Sequence, residues 1–240
     1  MEMRRIARIH TDFASKFGVP RQSGLVPQLQ GRIVFEPEYR NVDAVRGMED
    51  FSNLWLVWEF SEAVRKEWSP TVRPPRLGGN RRMGGFATRS PFRPNPIALS
   101  CVKLERIEWE GPEAPVIWVS GVDMMDETPI YDIKPYLPYA DSVPDAQAGF
   151  AGHTQARMVS VVLPSEVAAA SGLPADKLLA LTKGLEQDPR PRYQQDPERV
   201  YGMTFAGHEV RFVVQKDILY VKDIDVKGAE SNELSESDHV

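Results

Sequence analysis

A chain of 240 residues with 42% hydrophobic and 26% charged content has room for one large or two modest domains and reads as a globular, water-soluble protein. The longest apolar run, about seven residues from Leu54 to Phe60, is too short for a bilayer span, and Met1 to His10 lacks the apolar core of a signal peptide. The net charge of −5 argues at first against a nucleic-acid partner, but Glu230, Glu233, Glu236 and Asp238 supply four of those charges in a tail, Gly228 to Val240, that reads as disordered and leaves a near-neutral body.

Arg4 to Arg8 predicts an opening strand, and Arg32 to Phe35 a second one closed by Glu36-Pro37. Val42 to Asp50 has helical spacing, with Asn41 as its N-cap. Leu54 to Phe60 is a near-continuous apolar strand, which predicts burial on both faces. Ser69 to Gly85, rich in Pro, Gly and Arg, reads as loop. Ile97 to Trp109 returns to strand, and within it the lone Cys101 is expected to be a buried small hydrophobe in a reducing cytoplasm. Val116 to Val122 and the short Ile130 to Ile133 are further strands. Strands following one another with little helix between them predict a mostly antiparallel sheet that closes into a barrel.

Tyr139 to His153 reads as a polar, Ala/Gly-rich linker. Beyond it come a strand at Arg157 to Leu163 and a helical stretch from Pro164 to Leu185, broken at Gly172 and Pro174. A β-meander follows over Arg199 to Phe205, His208 to Val214 and Ile218 to Val226. The predicted organisation is mostly β: a barrel domain over 1–149, a small α+β domain over 150–227, and the tail from 228.

Chemistry concentrates in three places. From Trp68 through Leu104 there is no Asp or Glu, while Arg73, Arg76, Arg81, Arg82, Arg89, Arg93 and Lys103 are all present. Arginine suits planar, bidentate contact with carboxylate or phosphate, Gly78, Gly79, Gly84 and Gly85 let backbone approach a ligand, and the prolines stiffen the path. A solvated basic loop paired with acidic neighbours is the plainer alternative. The second place is Asp123, Asp126, Glu127, Asp132 and Lys134, which offer a base or acceptors for hydroxyl and ammonium groups; a turn exposing its acids fits the same residues. No His or Cys stands near them in sequence, so no metal is expected. The third is Gln187 to Tyr193, where Arg190 and Arg192 beside Tyr193 fit phosphate contact and base stacking, or an ordinary polar loop. No P-loop and no strand-fed GxGxxG turn is present.

These segments together resemble the TsaA-like (TrmO, YaeB-like) family of tRNA methyltransferases. The matching blocks are Val19-Pro20-Arg21-Gln22 with Gly24-Leu25, and Asp43-Ala44-Val45-Arg46-Gly47 with Phe51-Ser52 and Leu54-Trp55. They continue through Arg73 to Asn80, Ala87-Thr88-Arg89-Ser90, Phe92 to Ile97, Asp132 to Tyr136, and Asp188-Pro189-Arg190-Pro191. The resemblance implies a single-sheeted β-barrel that binds S-adenosylmethionine. It also implies a homodimer that methylates the exocyclic nitrogen of N6-threonylcarbamoyladenosine beside the anticodon, chiefly in a threonine tRNA.

By motif match, cofactor contacts are expected at Pro20, Arg21, Gln22, Ser61, Glu62, Arg89, Leu99, Ser120, Gly121, Val122 and Asp123. Relatives often carry His where Ser61 stands and Gly where Ala98 and Glu127 stand.

The donor carries a carboxylate that suits Arg21 or Arg89, and an ammonium or ribose hydroxyls that suit Asp123. The acceptor is a urea-type N–H whose proton must leave, and Asp126 is the leading expected base, with Asp132 next. Lys134 either orients a threonyl carboxylate or pairs with Asp132. For the tRNA, Arg73, Arg76, Arg81, Arg82, Arg93, Arg190, Arg192 and Tyr193 are the expected contacts. Two rival readings are a non-catalytic RNA-binding barrel and a methyltransferase for a small molecule or protein.

Overall fold

The computed structural model describes residues 2–63, 67–74, 77, 81–152, 158–190 and 196–226. Within them strands dominate, as β1 (Ala7–Thr11), β2 (Gln30–Phe35), β3 (Asn53–Glu59), β4 (Thr71–Val72), β5 (Met83–Gly84), β6 (Ile97–Glu108), β7 (Val116–Ser120) and β8 (Thr128–Pro135). A short helical turn α1 (Pro138–Asp141) follows, then β9 (Ser160–Val162), α2 (Ser165–Ser171), α3 (Ala175–Leu185), β10 (Tyr201–Phe205), β11 (His208–Gln215) and β12 (Ile218–Val226).

Six strands close a barrel in the order β1-β2-β7-β6-β3-β8, with β8 returning to β1 and every pairing antiparallel. The expected barrel is therefore present. Closure removes the exposed edges that an open sheet of this size would offer to other chains. The interior is apolar and fully enclosed: Ala7, Ile9, Ile33, Leu54, Leu56, Val102, Ile117, Val119 and Ile130 are all buried.

Four local expectations need correction. β3 alternates strictly, with Leu54, Leu56 and Trp58 buried and Trp55 and Val57 half-buried outside, so the apolar run does not bury both faces. A barrel wall has one interior, and Trp55 covers the outer side by packing on Tyr136 and donating to Asp141. Cys101 shares that outer side, opposite Trp55, and is half-buried; burial and Asp141 raise its thiol pKa. Val42 to Asp50 forms two 3-10 turns, Val42–Val45 and Met48–Asp50, divided by Gly47 in a left-handed conformation. Asn41 does cap the first of them, accepting from the Asp43 N–H. Within the expected loop Ser69 to Gly85, β4 and β5 pair as a small ribbon.

The second sheet runs β10-β11-β12-β9, with β9 parallel to β12 and the meander antiparallel as expected. Gly172 ends α2 with positive φ and Pro174 opens α3, as their sequence predicts. The segment after β1 joins the two sheets. The Phe13 ring meets Phe205 edge-on at 5.4 Å, and Phe17 stacks on Tyr201 and Phe212. The Ala206 N–H donates to the Asp12 carbonyl, and Lys177 bonds both Asp12 carboxylate oxygens at 2.7 and 2.8 Å. Phe13→Ala should cost about 3–5 kcal/mol, because the ring is 1% exposed between two cores. Chemical denaturation followed by tryptophan fluorescence measures this.

Candidate functional site

One end of the barrel collects the segments around Pro20 to Gly24, Arg89 and Ser120 to Asp123. Strand register places there the C-terminal ends of β1, β3 and β7 and the N-terminal ends of β2, β6 and β8. Segment 20–24 folds against this mouth. The Gly24 N–H donates to the Gly121 carbonyl, and Ser23 Oγ accepts from the Cys101 N–H at 3.1 Å. Gly121 has φ +75, and a Cβ there would meet Gly24 backbone at 3.2 Å, so this approach requires glycine.

Asp123 sits behind that segment. Ser100 Oγ donates to Asp123 Oδ1 at 2.6 Å, and Trp58 Nε1 donates to Ser100 Oγ at 2.9 Å. Burial raises the Asp123 pKa to about 6, while the Ser100 hydroxyl, the backbone at Ser23 and Asp123, and the Arg89 charge pull it down. Arg89 itself is exposed and donates to Gln22 Oε1, and Gln22 Nε2 donates to the Arg21 carbonyl. Asp123, Gln22 and Arg89, well separated in sequence, thus share one mouth where a cation acceptor faces an anion acceptor. That pairing suits a zwitterionic amino-acid group.

The other expected cofactor positions divide. Pro20, Gly121 and Val122 are buried and shape the wall. Ser120 Oγ donates to Glu105 at 2.6 Å and lowers that carboxyl's pKa. Ser61 and Glu62 lie exposed in the turn directly after β3, and Leu99 is 54% exposed on the outer face. Sequence reasoning missed Trp58 and Ser100. Both look like ordinary strand residues, and only the register reveals that they point inward at the mouth.

The expected catalytic acids are engaged elsewhere. Asp126 Oδ1 accepts from the Thr11 N–H at 3.0 Å and lies 3.2 Å from His10 Nδ1. The Glu127 carboxylate lies 3.2 Å from the same ring nitrogen and 3.3 Å from Arg8. His10, distant in sequence, thus joins these acids in a group whose ligand-type atoms lie within 4.8 Å of one another. This corrects the premise that no His is near. Asp132 and Lys134 pair at 2.8 Å on the outer wall, opposite Val57 and Trp55, which is the second of the two roles considered for Lys134.

Of the expected tRNA contacts, Arg73, Arg81 and Arg82 are exposed and carry no ion pair among the described residues. Arg93 turns inward and donates to the Gly85 and Thr88 carbonyls at 3.2 and 2.7 Å, which makes it a brace for its own loop. Arg190 is 4% exposed, with its guanidinium on Asp188 at 2.8 and 2.9 Å. Arg76, Gly78, Gly79, Arg157, Arg192, Tyr193, His153 and the tail from Gly228 lie outside the described residues.

Comparison with known proteins bears on this site. Residues 8–142 match the family model described as the tRNA-methyltransferase O N-terminal domain, and 161–227 match the TrmO C-terminal domain. The tRNA (adenine(37)-N6)-methyltransferase of Escherichia coli K12 is 42% identical over 216 residues, covering 85% of this chain and 88% of the relative. The protein of the same name from Eikenella corrodens is 47% identical over 174 residues, covering 72% and 97%. A crystal structure of TrmO from Pseudomonas aeruginosa superposes with a TM-score of 0.76 at 32% identity, covering 94% of this chain and 97% of that one.

Proposed function

The chain belongs to the tRNA-methyltransferase O family, and from that premise we infer that it is an enzyme that methylates N6 of an adenine next to the anticodon of tRNA with S-adenosylmethionine as donor. The acceptor is N6-threonylcarbamoyladenosine, chiefly in threonine tRNA, and the enzyme works in the cytoplasm as a homodimer. Two domains divide the work: 1–149 holds the cofactor, and 150–227 contributes to the tRNA. The observation that carries the reading is the juxtaposition of Arg89, Gln22 and Asp123 at the barrel mouth. Arg89 takes the donor's carboxylate and Asp123 its ammonium. Bound there, S-adenosylmethionine supplies a methyl group on a sulfonium. The chain contributes position and charge, which can carry a large part of the rate.

Mass analysis of tRNA nucleosides from cells lacking the protein tests the substrate. The methylated threonylcarbamoyl nucleoside should disappear, and its unmethylated parent should accumulate. An unchanged nucleoside profile would refute the assignment. Arg89→Ala should weaken cofactor binding about tenfold by calorimetry, the low end for a charge-assisted bond because the side chain is exposed.

The proton on the acceptor nitrogen must leave. Asp126 would accept it with its Oδ1 already holding the Thr11 N–H. Because Asn preserves that bond, Asp126→Asn should keep turnover within about tenfold of wild type if Asp126 anchors β1, whereas loss of a true base costs about 10²–10⁴. Single-turnover kinetics separates the two. The exposed Arg81 and Arg82 are assigned to the tRNA backbone. The paired Ala substitution should flatten the log affinity against log salt slope by roughly 0.7–0.9 per lost contact.

A further inference from the structure

The barrel interior is apolar until its mouth, where Ser100 is 1% exposed and Trp58 5%. A hydroxyl buried there has to be paired. It is paired twice, accepting from Trp58 Nε1 and donating to Asp123 Oδ1. An indole N–H can only donate, so it occupies a lone pair of Ser100 Oγ and leaves the hydroxyl proton to point at Asp123. The direction of the relay is therefore fixed from its buried end. A carboxylate offers roughly four acceptor sites. Ser100 and the backbone at Ser23 and Asp123 engage it, and Arg89 is the charged neighbour acting on it. Among the described residues, capacity for one further donor remains.

We propose that Ser100, oriented by Trp58, is a positioning residue that holds the Asp123 carboxylate ionised and aimed to receive the cationic amino-acid end of the methyl donor. The proposal rests on the donor reading above. It assigns a part in binding to two residues that do not themselves touch the ligand.

The test uses the full chain and two ligands: S-adenosylmethionine, and 5′-methylthioadenosine, which lacks the amino-acid end. Dissociation constants are measured between pH 5 and 8 for the wild type, Ser100→Ala, Ser100→Thr and Trp58→Phe. Wild-type affinity for S-adenosylmethionine should fall as pH drops through a midpoint near 6, where Asp123 protonates. Ser100→Ala should weaken that ligand about tenfold at neutral pH and move the midpoint upward, since the lost donor favoured the charged form. Ser100→Thr keeps the hydroxyl and should restore both quantities. Trp58→Phe should act in the same direction as Ser100→Ala. Methylthioadenosine should bind all variants alike.

In the ligand-free protein, the Trp58 indole N–H resonance should titrate with the same midpoint and lose that titration in Ser100→Ala. Equal losses for both ligands, or a midpoint that does not move, would overturn the proposal. A wild type that binds neither ligand would instead overturn the donor reading. The indole titration would then still report whether the relay exists.

Discussion

Arg190→Met should destabilise the protein by about 3–5 kcal/mol, read as a lower denaturation midpoint with an unchanged slope. The guanidinium makes two bonds to Asp188, and the side chains are 4% and 7% exposed. Removing Arg190 strips the buried Asp188 carboxylate of its bidentate cation, and the desolvation cost of that charge dominates over the lost attraction. Adding Asp188→Asn should recover much of the loss. Asn tolerates the φ of +48 found at this position, and the buried charge is then gone. If Arg190 instead bound phosphate, Arg190→Met would leave stability nearly unchanged and flatten the salt dependence of tRNA binding. That outcome would require the pair to open in the complex.

The same residue marks how far sequence can be read. Two arginines near a tyrosine announce affinity for an anion, but composition does not say whether the anion is a phosphate or a neighbouring aspartate. Asp188, two positions away, was available all along. The positive φ at Asp188 accompanies a turn that folds the pair inward, and that conformation has no signature beyond Asp itself. Strand content and the closed barrel were legible because alternation and turn residues are local signals. The outer half-burial of Trp55 and Val57 was not, since it depends on which neighbours cover the wall.

The mouth was legible only in part. Gln22, Arg89 and Asp123 stand out through their motifs, and the barrel brings them together. Ser100 and Trp58 carry no motif, and their inward orientation follows from a register that one bulge would have inverted. His10 illustrates the same limit. More than a hundred residues separate it from Asp126, and only the β1–β8 pairing places them 3.2 Å apart.

Asp123→Asn should change two measurements in opposite directions. Burial holds the folded-state pKa near 6 against an ordinary 3.8. Below the ordinary value both states are protonated and nothing is lost. As pH rises from there to about 6, the unfolded chain gives up its proton first, so the wild type loses stability across that window. Above it, ionised Asp123 costs the fold up to about 2–3 kcal/mol. Asn keeps an oxygen for the Ser100 hydroxyl but carries no charge. The variant should therefore match the wild type near pH 3 and exceed it in stability at pH 7 to 8, as measured by urea titration at each pH. Cofactor affinity should move the other way, falling about 10²-fold at pH 7 with the loss of a partly buried ionic partner. A stability difference that is flat from pH 4 to 8 would mean that Asp123 is not strained by its ionised form. An unchanged cofactor affinity would place the ammonium on another residue.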